Sequence, residues 1–356
     1  MAANLLTRVK ISGWKSFREV EIEFGQLNVL IGSNGSGKSN LLSFFDMFRA
    51  ATERRLKPYW MTHGLAKELM HYGPKHTPKL RFDIQFESVM YSLWLINTTD
   101  GLAGTEHESF SSPADFPAVK EIKNDRREVF ESRYVWDLEL FDRPRVYQFH
   151  DTSIHSRIRG FADLHQTQYL HEDGGNLAAM LYQMQRDEPA HFKEVERQVQ
   201  SGIPGFSHFV LERAPTGREE VRLEWIGVES DYPMTPNQLS DGSLRWIALC
   251  TLLMQPAAWR PGVILIDEPE LGLHPALLER LAGLIHYTSV KTQIIIATQS
   301  PFLLNFFEPE QIITIDHDGR ESRVQRHTKE GLRDWLEEYS MGELWEKHLL
   351  DWQPTV

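Results

Sequence analysis

The chain has 356 residues, 41% of them hydrophobic, and a formal net charge of −12. That length fits one large domain or two ordinary ones, and that apolar content excludes a disordered chain. The acidic balance argues against coating nucleic acid over a broad basic surface, while leaving room for a local basic patch.

The single cysteine, Cys250, sits in an apolar run. It gives neither a disulfide framework nor a zinc site, and it suits a reducing compartment. Residues 1–14 hold no apolar stretch long enough for a signal peptide. No segment approaches the ~20 apolar residues that span a bilayer. The expected location is therefore cytoplasmic, with no membrane partner.

In chain order, residues 6–12 and 19–31 read as strands, alternating or running apolar with β-branched residues. A helical pattern follows Ser39, with Leu41, Leu42, Phe44, Phe45 and Phe48 on one broad face. Residues 80–96 alternate apolar and polar and predict an antiparallel β layer, with a turn at 98–101. Residues 98–118 are rich in Gly, Ser, Thr and Pro and read as a surface loop. Two helical stretches occupy 176–200, split at Asp187, Glu188 and Pro189. Strands are expected at 208–213, 220–226, 262–267, 292–297 and 311–315. Helices are expected from Ser240 to about Met254, at 275–287, and near 329–338 and 342–350. Strand–helix alternation at both ends of the chain predicts a parallel-type sheet.

Residues 32–39, GSNGSGKS, fit G-x-x-x-x-G-K-[ST] between an apolar strand and an amphipathic helix. Glycines let the backbone curl so that N–H groups meet phosphate oxygens. The helix start adds a partial positive charge at the same place. Ser33, Asn34, Gly35, Ser36, Gly37, Lys38, Ser39 and Asn40 are the expected ATP contacts. Lys38 would reach the β- and γ-phosphates, and the Ser39 hydroxyl would hold Mg²⁺. Residues 263–268, VILIDE, form a buried strand ending in two carboxylates. Asp267 is the expected partner of Mg²⁺, and Glu268 the expected general base for an attacking water.

These motifs, with LSDGS at 239–243, ILIDEPELGLHP at 264–275 and IIIATQSP at 294–301, resemble the ABC-type ATPases in kind and order. The opening ISGWKSFREVEIEFGQLNVLIGSNGSGKSNLL is similar to the branch of RecF, the structural-maintenance-of-chromosomes heads and the overcoming-lysogenization-defect ATPases. The likeness covers 5–57 and 236–315 well and the middle only loosely. It implies an α/β, ABC-type P-loop ATPase head with an antiparallel β layer and an inserted helical lobe. The core would comprise 1–57 and 236–328, the inserted lobe 58–235, and a helical docking element 329–356.

The resemblance also assigns roles. Ser240, Asp241 and Gly242 lie in the signature loop that contacts the γ-phosphate bound to a second subunit, which implies a homodimer around ATP. Leu271–Pro275 would cross that interface. Gln148 is a candidate for the glutamine that couples the nucleotide and its metal to the middle lobe. Gln299 stands where most of the family has a γ-phosphate-sensing histidine. An amide carries no proton or charge, so slow turnover is expected. The Toprim nuclease of the overcoming-lysogenization-defect group has no counterpart, since 316–356 are too short for a nuclease core.

Two roles follow from different features. The family likeness points to an ATP-driven clamp on DNA. The missing nuclease and the acidic charge point to a regulatory ATPase for a separate effector protein, a nuclease or toxin. Arg54-Arg55 and Arg126-Arg127 are candidate DNA contacts or plain solvated charges. His150 and His155 lack any metal-binding frame and read as ordinary histidines.

Overall fold

The structure, a computed structural model, describes residues 4–98, 101, 103–111, 122–123, 144–214 and 217–351. Period-two burial shapes its first strands. Strand β1 (Leu6–Trp14) buries Leu6, Val9 and Ile11, and β2 (Phe17–Glu23) buries Phe17, Val20 and Ile22. Strand β3 (Leu27–Ile31) is buried at every position, as a strand covered on both faces requires. The expected single strand at 19–31 is thus two. Buried Asn28 makes the break: its Oδ1 accepts from Gly25 N at 2.9 Å and its Nδ2 donates to Gly25 O at 2.8 Å.

After β3 come α1 (Lys38–Thr52), α2 (Leu56–His63) and α3 (Ala66–Leu69), then β4 (Lys79–Phe86), β5 (Met90–Asn97), β6 (Ala103–Ser111) and β7 (Ile122–Lys123). Next are β8 (Arg145–Tyr147), β9 (Phe161–Asp163), α4 (Leu177–Asp187), α5 (Pro189–Gly202), β10 (Phe206–Val210), β11 (Glu220–Arg222) and β12 (Glu224–Gly227). Alternation follows, through α6 (Asp241–Met254), β13 (Val263–Asp267), α7 (Pro275–Ser289), β14 (Gln293–Thr298), α8 (Pro301–Leu304) and β15 (Ile312–His317). Strand β16 (Ser322–Arg326) and short helices α9 (Arg333–Leu336) and α10 (Met341–Glu346) close the chain.

The chain divides into two units, Met1–Arg145 with Phe307–Val356, and Val146–Phe306. The first holds an antiparallel sheet in the order β2-β1-β4-β5-β6-β7. It also holds β3 parallel to β15, with β16 antiparallel beyond. Aromatic side chains fill its core. Trp14 meets Trp60 at 6.3 Å and Phe82 at 5.9 Å between ring centroids, and Phe44 of α1 meets Phe82 at 5.1 Å. Each such buried ring contributes roughly 1.5–3 kcal/mol.

Residues 103–111 were expected to be loop and form β6 instead. Their polar sequence hides a paired strand: Tyr91 of β5 donates a 2.7 Å hydrogen bond to buried Glu108 of β6. Residues 112–118 of that expected loop lie outside the described residues, as does Arg126-Arg127. Strand β16 was not foreseen, and α9 and α10 are shorter than expected.

In the second unit β13 and β14 run parallel, Val263 opposite Gln293 through Asp267 opposite Ala297. Both are buried throughout. Helix α6 buries Leu244 and every residue from Trp246 to Met254. Its Trp246 donates from Nε1 to Gln198 O of α5 at 3.1 Å, and a Cβ on Gly202 would lie 2.3 Å from that nitrogen. Glycine there lets α5 approach closely. No helix among the described residues is long and apolar enough to cross a membrane.

Candidate nucleotide site

Gly35 and Gly37 of the phosphate loop take positive φ values of 79° and 119°, which only glycine adopts cheaply. Gly37 starts α1 in the left-handed region, and no side chain caps that helix. Its first-turn N–H groups keep their capacity for an anion. Lys38 is only 6% exposed, and its Nζ donates to Gly32 O at 2.5 Å and Ser33 O at 3.1 Å. The ammonium is thus curled into its own loop. The Ser36 hydroxyl is buried with no hydrogen-bond partner among the described residues. A buried ammonium, an orphaned hydroxyl and an uncapped helix start all fit a polyphosphate.

Ser33, Asn34 and Ser39 are exposed. Asn40 turns instead toward β1 and the start of β2. Its Nδ2 donates to Ser16 Oγ at 2.7 Å, and its carbonyl accepts from Trp14 Nε1 at 2.9 Å. Behind the loop, Ser322 Oγ donates to Ser36 O at 2.5 Å and lies 2.7 Å from Ser16 Oγ. A Cβ on Gly37 would collide with Ser322.

In the second unit the acidic strand end is densely tied. Asp267, 8% exposed, accepts at Oδ2 from Gln148 Nε2 at 3.1 Å. Its carbonyl oxygen lies 3.2 Å from His150 Nε2. Glu268 has φ of 44°, a strained value for a side chain of its size, and its N–H donates to Ala297 O at 2.8 Å. The Gln299 amide donates from Nε2 to Glu268 Oε1. Glu270 Oε1 accepts from Thr298 Oγ1 at 2.6 Å and from Gln299 N at 3.0 Å. Its Oε2 is buried with no partner among the described residues, and burial raises this carboxyl above the ordinary range. One glutamine is therefore held twice, by side chain and by backbone, through two carboxylates of one loop.

Asp267 offers a hard oxygen donor, and Gln148, whose Nε2 meets it, carries an amide oxygen as a second. Mg²⁺ takes one or two such protein ligands and completes its shell with water and phosphate. The pair fits that ion. No cluster of three His, Cys, Asp or Glu suited to a metal occurs among the described residues.

Ser240 caps α6, accepting from Ser243 N at 3.1 Å. A Cβ on Gly242 would lie 2.2 Å from Gly272 O, so the signature loop packs directly on the Leu271–Pro275 loop. Arg245 fastens both. Its guanidinium donates to Phe149 O at 2.9 Å, His150 O at 2.8 Å and Leu271 O at 3.5 Å. Arg159 holds the other side, with Asp241 at 2.9 Å and Thr152 O at 2.7 Å. Sequence reasoning missed Arg159, Arg245 and Glu270, and it set aside His150, which joins the site through Asp267. No local pattern marks these residues, because each acts across a long sequence separation. His155 is exposed.

Residues 27–305 match the family described as "AAA domain, putative AbiEii toxin, Type IV TA system". The "Retron Ec83 probable ATPase" of Escherichia coli is 27% identical over 152 residues, which are 40% of this chain and 27% of that protein. The chain thus matches about a quarter of that relative's length. Three solved heads share the fold. The Smc head bound to the C-winged helix domain of ScpA has a TM-score of 0.62 at 18% identity, over 92% of this chain and 99% of that one. The SMC head domain from Thermotoga maritima scores 0.52 at 13% identity, over 91% and 99%. The Pyrococcus furiosus Smc head with an extended coiled coil, bound to the C-terminal domain of ScpA, scores 0.59 at 16% identity, over 94% and 99%. With a family match over most of its length, the chain belongs to that AAA-domain family, and it shares the fold of the Smc heads.

Proposed function

We propose that this protein binds ATP with Mg²⁺, closes as a homodimer around two nucleotides, and reopens on slow hydrolysis. The observation that carries this reading is the phosphate loop, with its buried Lys38, orphaned Ser36 hydroxyl and uncapped helix start. Ser39, Asp267 and Gln148 would hold Mg²⁺, which neutralises phosphate charge when bound. Glu268 accepts the proton of the attacking water as its oxygen bonds to the γ-phosphorus. The bond from that phosphorus to the bridging oxygen breaks, giving ADP and phosphate. Gln299 donates to Glu268 Oε1, which lowers the basicity of that carboxylate while leaving Oε2 to meet water. An amide in this place restrains the base without supplying a proton. That supports slow turnover.

Ser240 and Gly242 stand exposed or half-exposed at the start of α6, on an arginine-braced loop. This supports their use on the nucleotide of a second copy. Membership of a family described by a toxin–antitoxin system, and likeness to a retron ATPase, support work in anti-phage defence. DNA is the first candidate for what the dimer acts on, in defence or repair. The toxin in the family description favours a second reading, in which the dimer holds or activates a separate effector protein.

The test is Glu268→Gln with ATP, examined by sizing. Loss of the base with binding intact should accumulate a nucleotide-trapped dimer. A monomer under every condition would contradict the sandwich.

A further inference from the structure

The unit built from Met1–Arg145 and Phe307–Val356 carries a cavity of about 930 Å³. Its walls are the end of β1, the start of β2, the segment 71–81 and the turn between β15 and β16. In a chain of net charge −12, five basic side chains line it against three carboxylates. The carboxylates are already engaged. Asp318 and Glu321 pair with Arg323 at 3.2 and 2.5 Å, and Glu19 pairs with Lys10 at 3.3 Å. Lys79 is likewise paired with Glu106 at 2.7 Å. Arg18, Arg81 and Arg320 remain without a carboxylate partner among the described residues, and all three are exposed. Three guanidiniums converging on one concavity suit a ligand with several phosphates.

Aromatic rings stand beside them. Tyr72 is 64% exposed, with a positive φ of 54° that bulky residues rarely adopt. Its hydroxyl donates to Arg320 O at 2.8 Å, which holds the ring at the cavity wall. His71 lies 4.4 Å and His76 6.4 Å from it between ring centroids. His71 is fixed by a 2.8 Å hydrogen bond from Nδ1 to Lys15 O. The Arg81 guanidinium lies over the Trp94 ring at 5.0 Å from its centroid, which leaves its N–H groups for an anion. An anchored, exposed ring next to guanidiniums without a carboxylate partner is the arrangement that stacks an unpaired base while its phosphates are held. Base faces are hidden in a duplex and open in a single strand.

We propose that this cavity binds single-stranded nucleic acid, with Arg18, Arg81 and Arg320 on the backbone phosphates and Tyr72 stacked on a base. The inference rests on the nucleic-acid reading of the preceding section and gives it a surface. The cavity also adjoins the phosphate loop in the chain's own wiring. The turn that carries Arg320 leads into Ser322, whose hydroxyl donates to Ser36 O of that loop.

The experiment is fluorescence anisotropy of a labelled 15-nucleotide oligo-dT and a duplex of equal length, on nucleotide-free protein across a salt series. The single strand should bind more tightly than the duplex, with a log–log salt slope of about −2 for three phosphates. The R18A/R320A double variant should bind it about tenfold or more weakly, with a slope shallower by about 1.4. Tyr72→Ala should weaken binding about 5- to 150-fold, and Tyr72→Phe, which keeps the ring and loses only its anchor, should recover most of it. Binding of a fluorescent ATP analogue should be unchanged in all of these. Oligonucleotide binding that ignores Arg18, Arg320 and Tyr72 would overturn the cavity while leaving a DNA role intact. No binding at low salt would overturn both. Parallel loss of the ATP analogue, or displacement by an equal amount of free thymidine monophosphate, would show a mononucleotide site and overturn the strand assignment.

Discussion

In the phosphate loop, Lys38 is held by carbonyls of its own eight-residue motif, whereas the carboxylates of the acidic strand end are held by other elements. Gln148, 119 residues away in sequence, holds Asp267, and Thr298 and Gln299, about thirty residues away, hold Glu270 and Glu268. The loop is a local device whose shape follows from glycine φ values and a helix start. The strand end is a tertiary device whose shape depends on β14 lying beside β13 and on the segment after β8. On the proposed function, one receives an anion and the other holds the base.

That difference can be broken first at its chemical centre. Glu268→Gln should lower kcat by about 10²- to 10⁴-fold, the usual range for a general base, with ATP affinity retained. Equal loss of affinity would mean that Glu268 supports binding rather than catalysis. Lys38→Ala should instead weaken ATP binding itself, about 30-fold or more, and turnover with it, since it removes a buried charge partner of phosphate. Titration with a fluorescent ATP analogue separates the two outcomes.

The regions also differ in their response to pH. Burial holds the His327 imidazole, on the phosphate-loop unit, down to about 4 from its ordinary 6.5. The unfolded chain then takes the proton first as pH falls. The stability His327 contributes, about 3 kcal/mol at most, is full above pH 6.5 and lost between 6.5 and 4. Glu270 has the opposite sign. Its carboxyl is raised by burial above 4.5, so its contribution is full below 4.5 and lost as pH rises through the higher folded value. Urea midpoints against pH should lose their acid-side fall in His327→Leu and their alkaline-side fall in Glu270→Gln. The smallest effect expected is that of Gln299→Ala. It removes one side-chain hydrogen bond to Glu268, worth about 0.5–1.5 kcal/mol, and should raise kcat about two- to tenfold. A rise would mean that the amide restrains the base, and a fall that it positions it.

Legibility in the sequence followed the same line. The phosphate loop, the strand VILID and the Ser240 cap were readable because each is specified by contiguous residues with a fixed period or spacing. Helix α6 runs from Asp241 to Met254, as its pattern predicts. Strand β6 was unreadable because its polar residues look like loop, and only pairing with β5 and the Tyr91–Glu108 bond make it a strand. Arg159, Arg245 and Glu270 were unreadable for a different reason. Their partners are carbonyls and amides that proximity in the fold, not composition, brings within reach. Arg55, a sequence candidate for DNA, is paired with Glu53. The unpaired guanidiniums of Arg18, Arg81 and Arg320 are scattered along the chain, so no basic run announces them.

The most direct test of the ATP sandwich is complementation between two inactive chains. Lys38→Ala lacks a working phosphate loop and keeps its signature loop, while Ser240→Arg has the converse defect. If each nucleotide is completed by the opposite subunit, either variant alone should be inactive. An equal mixture should recover about a quarter of wild-type turnover, from the one intact site in each mixed dimer. Full turnover by Ser240→Arg alone, or no recovery from a mixture shown to exchange subunits, would contradict a site shared between two copies.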